Sequence, residues 1–264
     1  MNFGFGMSEM MVIAVLVLLL FGSKELPRIF REMARLFAKL KLYSDKIKRE
    51  LDEAIKLDEP KQSSYETETQ AKKKDLRTRC FDARSALPPE QHGEKSQLIW
   101  NHLTATDYYK NAKAVMVYVS IGSEVATRSC IGEMLAQGKR VVVPYCRNVG
   151  NELGIAEIRS LEEDLAEGAL GVPEPVERIR NNFFKSDLQL VICPAVAFDI
   201  YGARLGRGKG YYDVFLKELK GKVPLVGFGF DCQIQQENLP FEYHDIPMDQ
   251  VITESGLLLK KENA

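Results

Sequence analysis

VICPAVAFDIYGARLGRGKGYYDVFL, residues 191–216, is the stretch whose reading decides how this chain folds. With Leu190 before it, the run Leu190-Val191-Ile192-Cys193 is apolar on both alternations, the pattern of a strand buried on two faces. The segment Asp199–Gly210 then places Gly202, Gly206, Gly208 and Gly210 among Arg204, Arg207 and Lys209, which reads as a loop. Beyond it, Tyr212, Phe215, Leu216 and Leu219 recur at helical spacing and predict a helix over Tyr211–Leu219. A strand, a basic glycine loop and a helix start supply what a phosphate group needs. Glycines let backbone N–H groups approach its oxygens, a helix dipole adds partial positive charge, and Arg and Lys neutralise the rest. An ordinary tight turn is the bland counterpart. The loop is not a P-loop, because Gly208-Lys209 is followed by Gly210 where Ser or Thr is required and Ala203 stands at the leading glycine. Nor is it the dinucleotide fingerprint, since the spacing is GxGxG. Asp213, one residue pair into the helix, is either a carboxylate favoured by the dipole or a magnesium ligand.

Working outward, Ala114–Val119, Arg140–Pro144, Leu188–Cys193 and Leu225–Phe228 read as short apolar strands, with helical patterns at Thr127–Gln137 and Tyr211–Leu219. This alternation predicts an α/β domain with a mostly parallel sheet flanked by helices. Ligands in such sheets bind beyond the carboxyl ends of the strands. The glycine loop and Glu124 both follow strands.

The 264 residues are 45% hydrophobic and 28% charged with a net charge of -1, which suits a globular chain and gives no general reason to expect nucleic acid. Five scattered cysteines without a CxxC pair argue against a zinc site or a secreted disulfide framework.

The N-terminal part differs in character. Every residue from Met10 to Phe21 is apolar, short of the roughly 20 that span a bilayer unless the run is extended back to Phe3. A signal peptide needs basic residues before the run and small ones at a cleavage site, and neither is present. A buried core helix has nothing beside it to pack on. A short membrane helix over residues 3–22 fits best. Lys24, Arg28, Arg31, Arg35, Lys39 and Lys41 all follow the run, so the positive-inside bias places the N-terminus outside and the rest in the cytoplasm, as a single-pass protein of the inner membrane. Leu26, Ile29, Phe30, Met33, Leu36, Phe37 and Leu40 then recur at threes and fours opposite Lys and Arg. That is an amphipathic helix, for the anionic membrane surface or for packing on the C-terminal domain or another copy. Residues 58–71 are polar, contain Pro60 and lack an apolar period, which predicts a linker.

Ser8-Glu9, the Phe21-Gly22 hinge, Leu26-Pro27 and the long basic helix resemble the TatA/TatB family of twin-arginine translocase subunits over residues 1–57. Glu9 after Ser8 is more like TatB, and Ser23 departs from the proline many members place there. The resemblance implies self-association in the membrane and a TatC-type partner. Glu9 within the apolar layer is costly, so it is either near the interface or paired.

From residue 72 onward the chain resembles the 5-formyltetrahydrofolate cyclo-ligase family, above all in GARLGRGKGYYD. The resemblance implies an ATP-dependent enzyme that takes 5-formyltetrahydrofolate to 5,10-methenyltetrahydrofolate with Mg2+. It implies ATP contacts from Lys73 and Arg77 in the basic helix and from Arg204, Leu205, Gly206, Arg207, Gly208, Lys209, Gly210, Tyr211 and Tyr212. Folate contacts are implied for Val119 and Glu124 in VSIGSE, with Arg207, Gly208, Lys209, Gly210 and Tyr211. Gly171–Pro175 matches a loop beside the pocket, where Leu170 replaces the Trp of some relatives. The implied magnesium carboxylates are Asp213 and Asp249; spacing alone does not single out Asp249. The competing reading is a Tat subunit carrying an inactive enzyme domain.

Overall fold

The computed structural model describes residues 68–147, 152–168 and 171–258. The expected membrane helix, the amphipathic helix and residues 58–67 of the expected linker lie outside the described residues, as does Leu170. The chain divides between Thr67 and Glu68. Among the described residues no helix is long and apolar enough to cross a membrane.

The linker reading extends too far. Residues 68–71 already belong to helix α1, which runs over 68–85. Glu68 and Lys72 pair across one turn at 2.6 Å, the i,i+4 arrangement that supports a polar helix start. Helix α2 (Pro89–Ala105) begins on a proline at its first position, where a missing N–H costs nothing. Helix α3 (Asp107–Asn111) is capped by the Thr106 hydroxyl, which accepts from the Tyr109 amide.

Then follow β1 (Ala114–Val117), α4 (Arg128–Ala136), β2 (Arg140–Cys146), β3 (Leu153–Ile158), β4 (Leu165–Glu167), β5 (Pro173–Pro175), β6 (Leu190–Pro194), β7 (Ala197–Asp199), β8 (Arg204–Leu205), α5 (Tyr211–Leu216), β9 (Leu225–Phe228), β10 (Ile234–Gln235), β11 (Gln250–Thr253) and β12 (Gly256–Leu258). The main sheet has seven strands in the order β12-β11-β9-β6-β1-β2-β3. Its interior from β11 to β2 is parallel, and the edge strands β12 and β3 are antiparallel. The mostly parallel sheet expected from the sequence is therefore present. The expected helix over Tyr211–Leu219 ends at Leu216, and the chain turns to Gly221 at φ 74°.

The parallel strands are buried on both faces because helices cover both. Val115 and Val117 of β1 face a core shared with Trp100, Leu103, Ile131 and Met134 from α2 and α4. Ala114 and Met116, on the alternate positions, face a second core with Phe198, Phe215 and Leu216. Two glycines make room in the second core. A Cβ on Gly227 of β9 would lie 2.4 Å from Cε1 of Phe198, and one on Gly229 would lie 2.9 Å from its Cδ2. The fully buried Phe198 ring lies on a strip of bare backbone.

Gly227→Ala is therefore expected to cost about 1–3 kcal/mol by overpacking. Trp100, the single tryptophan, reports unfolding of this unit alone. An unchanged fluorescence midpoint in denaturant would contradict the packing described.

Candidate active site

The carboxyl ends of β1, β2 and β6 open into a cavity of about 460 Å³. The segment after β6 is more structured than its glycines suggest. Ala197–Asp199 and Arg204–Leu205 pair as a short antiparallel ribbon inside what the sequence presents as loop. Asp199 ties the turn: its Oδ1 accepts from the amides of Tyr201 (2.9 Å) and Ala203 (2.8 Å), and Oδ2 accepts from the Leu239 amide (3.0 Å). This buried carboxylate is fully engaged by backbone and holds the ribbon. Gly202, at φ 87°, admits no side chain, since a Cβ would stand 2.5 Å from the Met248 carbonyl oxygen.

The loop proper, Gly206–Gly210, passes through left-handed backbone at Gly208 (φ 97°) and Gly210 (φ 67°), conformations that Gly adopts without the steric penalty of a Cβ. Arg77 of α1 donates from Nε to the Gly206 carbonyl at 2.9 Å. Burial lowers the pKa of that guanidinium, with Asp245 opposing the shift. Helix α5 has six residues, so its summed dipole is smaller than the sequence reading assumed. The loop's own amides and cations are the main electropositive elements.

The cavity brings together almost every residue singled out in the sequence: Lys73 and Arg77 from α1, Val119 and Glu124 after β1, and Arg204 to Asp213 from β8 through α5. Their charges are mostly paired. Arg207 Nη2 donates to Glu124 Oε1 at 2.8 Å, with Arg207 57% and Glu124 10% exposed. Glu124 Oε2 accepts from the Ile121 amide at 3.1 Å, so this carboxylate closes its own turn and does not start a helix. Lys73 donates to Glu242 (2.8 Å) and Asp245 (3.3 Å), joining α1 to the 242–245 segment. Arg204 Nη2 donates to Asp213 Oδ1 at 2.6 Å, and the guanidinium lies 5.4 Å from the Tyr212 ring centroid. Arg204 is 3% exposed, and its buried Nε has no hydrogen-bond partner. Lys209, exposed at the cavity wall, has no ion pair among the described residues.

A magnesium ion beside phosphates takes only one or two carboxylates from protein. Asp213 fits that demand, since it lines the cavity next to the loop and is oriented by Arg204 and by the Ile246 amide (3.1 Å). Asp249 does not fit. Its Oδ2 accepts from the Leu225 amide at 2.9 Å, at the amino ends of β9 and β11 and away from the strands' carboxyl ends, and it lines a separate cleft with Gly202 and Leu258. The expected pairing of Asp213 with Asp249 is thus not formed. Position before a strand, rather than chemistry, decides this: the carboxylate latches two strand starts.

Several cavity residues were not singled out in the sequence. Tyr145, Cys146 and Leu153 form an apolar wall; the first two stand at the carboxyl end of β2, where the strand-end rule applies as it does to Glu124. Burial raises the Cys146 thiol pKa and so keeps it protonated near neutrality. Tyr118, buried beneath the cavity, is held well above the ordinary tyrosine range and donates to the Val125 carbonyl at 3.0 Å. Neither group is a base at neutral pH.

A sheet of this order, with a cationic glycine loop facing a glutamate turn across one cavity, defines an α/β enzyme for an anionic substrate. Residues 69–254 match the 5-formyltetrahydrofolate cyclo-ligase family, and the chain belongs to that family. It is 35% identical to the 5-formyltetrahydrofolate cyclo-ligase of Escherichia coli K12 over 175 residues, covering 65% of this chain and 94% of that protein. It is 30% identical over 192 residues to the mouse enzyme of that name, covering 70% and 94%. The solved structure of Aquifex aeolicus 5,10-methenyltetrahydrofolate synthetase superposes with a TM-score of 0.62 at 33% identity, covering 73% of this chain and 94% of that one. Residues 3–50 match the mttA/Hcf106 family.

The two aspartates separate in an experiment. Asp249→Asn, which keeps an oxygen acceptor for Leu225, is expected to leave the Mg2+ dependence of turnover unchanged. Asp213→Asn should raise the half-saturating Mg2+ concentration about ten- to hundredfold. The reverse order in a magnesium titration would contradict the placement.

Proposed function

We propose that this chain performs the reaction that names its family, closing 5-formyltetrahydrofolate to 5,10-methenyltetrahydrofolate as ATP becomes ADP and phosphate. The observation that carries it is the meeting of the Gly206–Gly210 loop, with Arg207 and Lys209, and the Glu124 turn in one cavity. A formyl group on nitrogen is amide-like, a poor electrophile whose oxygen leaves badly. Transfer of the γ-phosphoryl to that oxygen makes a good leaving group, and attack by N10 on the formyl carbon then closes the ring and expels phosphate. Such chemistry asks the protein for positioning and charge neutralisation rather than a covalent nucleophile.

The placement supports the following residue roles. Arg207, Lys209 and the loop amides receive the triphosphate, with Lys73 and Arg77 behind them on α1. Leu205, Tyr211 and Tyr212 flank the loop and line the wall. Arg204 orients Asp213, and its free Nε is a donor for an anionic oxygen. Asp213 would hold Mg2+, which when bound screens the phosphate charges. Val119 and Glu124 receive the pterin, with Glu124 accepting hydrogen bonds from its N–H groups and Tyr145 and Leu153 lining the apolar side. Arg207 is shared, reaching Glu124 now and phosphate once nucleotide enters.

The match of residues 3–50 to the mttA/Hcf106 family supports a second role for the same polypeptide. In this reading residues 1–57 are a single-pass anchor of the inner membrane, N-terminus outside, that self-associates and meets a TatC-type partner. A linker then leads to the enzyme domain in the cytoplasm. Full-length protein of about 30 kDa in the membrane fraction, consistent with the 29.9 kDa chain, is the expected result; recovery only in the soluble fraction would remove the anchor.

For the enzyme, Arg207→Ala and Lys209→Ala are each expected to lower turnover of the full chain by about 10²–10³-fold, measured as methenyl absorbance. Full activity in both variants would remove the loop from the mechanism.

A further inference from the structure

Among the described residues Arg84 is the buried cation that the mechanism above leaves unused. It projects from α1 and is 2% exposed. Among the described residues it has no carboxylate within ion-pair distance. Its Nε donates to Ser123 Oγ at 3.1 Å and its Nη1 to the Ala195 carbonyl at 3.2 Å, and the guanidinium lies 5.7 Å from the Phe81 ring centroid. Ser123 immediately precedes Glu124. Ala195 follows β6 and lines the cavity. One guanidinium therefore binds the turn that presents Glu124 to the strand end that leads into the glycine loop.

The turn is fastened elsewhere by other hydrogen bonds. Ser120 and Thr127 exchange two hydrogen bonds at 3.0 Å each, and Thr127 Oγ1 donates to the Tyr118 carbonyl at 2.7 Å. His92 Nε2 donates to the Glu124 carbonyl at 2.9 Å. None of these contacts reaches the Glu124 carboxylate. The charge facing Glu124 is Arg207, which is more than half exposed and points from the loop that receives phosphate. When nucleotide draws Arg207 away, Glu124 keeps its burial and loses its partner. A buried carboxylate left alone is strongly disfavoured. Arg84 is the second cation near Glu124 and Arg207, and it is fixed in the core.

We propose that Arg84 is a positioning residue for the folate half of the site, bracing the Glu124 turn against the end of β6 and keeping a positive charge behind Glu124 when Arg207 turns to phosphate. The proposal rests on Glu124 receiving folate. The spacing was visible in the sequence, since Lys73, Arg77 and Arg84 lie four and seven residues apart on one face of α1.

The test measures KM for 5-formyltetrahydrofolate and for ATP in the full-length chain. Arg84→Met is expected to raise the folate KM about ten- to hundredfold, the effect of losing hydrogen bonds from a charged group. The ATP KM should rise by a smaller factor, because nucleotide also draws Arg207 from Glu124, and the Trp100 unfolding midpoint should change little. Arg84→Lys, which keeps the charge without the fork, should recover part of the folate affinity. Ser123→Ala leaves the buried cation in place and should raise the folate KM by a smaller factor, so it decides the matter if Arg84→Met does not fold. An unchanged folate KM in a folded Arg84→Met, or in Ser123→Ala when the former fails to fold, overturns the proposal. So does an equal rise in both KM values. Glu124→Gln separates the two levels: if it raises the folate KM and Arg84→Met does not, only the Arg84 role falls. If neither raises it, the folate reading of Glu124 falls as well.

Discussion

The Gly206–Gly210 loop can present cations to the cavity because its backbone is anchored at both ends. Upstream, Asp199 spends its carboxylate on three backbone amides and fixes the β7–β8 ribbon. Downstream, Asp213 is held by Arg204 and the Ile246 amide. Between these anchors the chain takes left-handed turns at Gly208 and Gly210, and Arg77 closes on the Gly206 carbonyl from α1. A flexible glycine run would lose its ordering entropy again with every ligand. A loop ordered beforehand does not.

The same economy governs the charges. Before ligand enters, Lys73 is paired with Glu242 and Asp245, Arg204 with Asp213, and Arg207 with Glu124. Such pairs keep cations aimed into the cavity at little net gain in stability, since desolvation offsets much of the attraction. An incoming polyphosphate thus competes with a carboxylate for an arginine and does not have to organise one from solvent. The exposed Arg207 is the most readily exchanged and the buried Arg204 the least. With Glu124 receiving folate as proposed, that ordering links nucleotide binding to the folate side, because the carboxylate Arg207 leaves is Glu124.

How much of this was legible differs from element to element. The parallel sheet could be read because strands buried on both faces write themselves as unbroken apolar runs, as in Leu190–Cys193. Composition also pointed to the cationic loop. The ribbon inside it was hidden, since Arg204-Leu205 is a two-residue strand defined only by its pairing with Ala197 and Phe198. The edge strands β3 and β12 were missed for a related reason: an antiparallel edge depends on a neighbour distant in sequence. Glu124 and Val119 came from resemblance, and spacing alone gives no reason to prefer them to other residues after strands. Asp249 shows the limit of that route. It too came from the resemblance, yet its carboxylate accepts from the first amide of β9 at the far end of the sheet. The N-terminal assignments stand on the sequence pattern and the mttA/Hcf106 match.

Titration of Mg·ATP into the purified full-length chain, followed by calorimetry, tests the central claim most directly. Saturable binding of one nucleotide at or below millimolar concentration, with affinity falling as ionic strength rises, is the result the charged loop requires. Absence of any uptake at millimolar Mg·ATP from a chain whose Trp100 fluorescence reports a folded domain would contradict it.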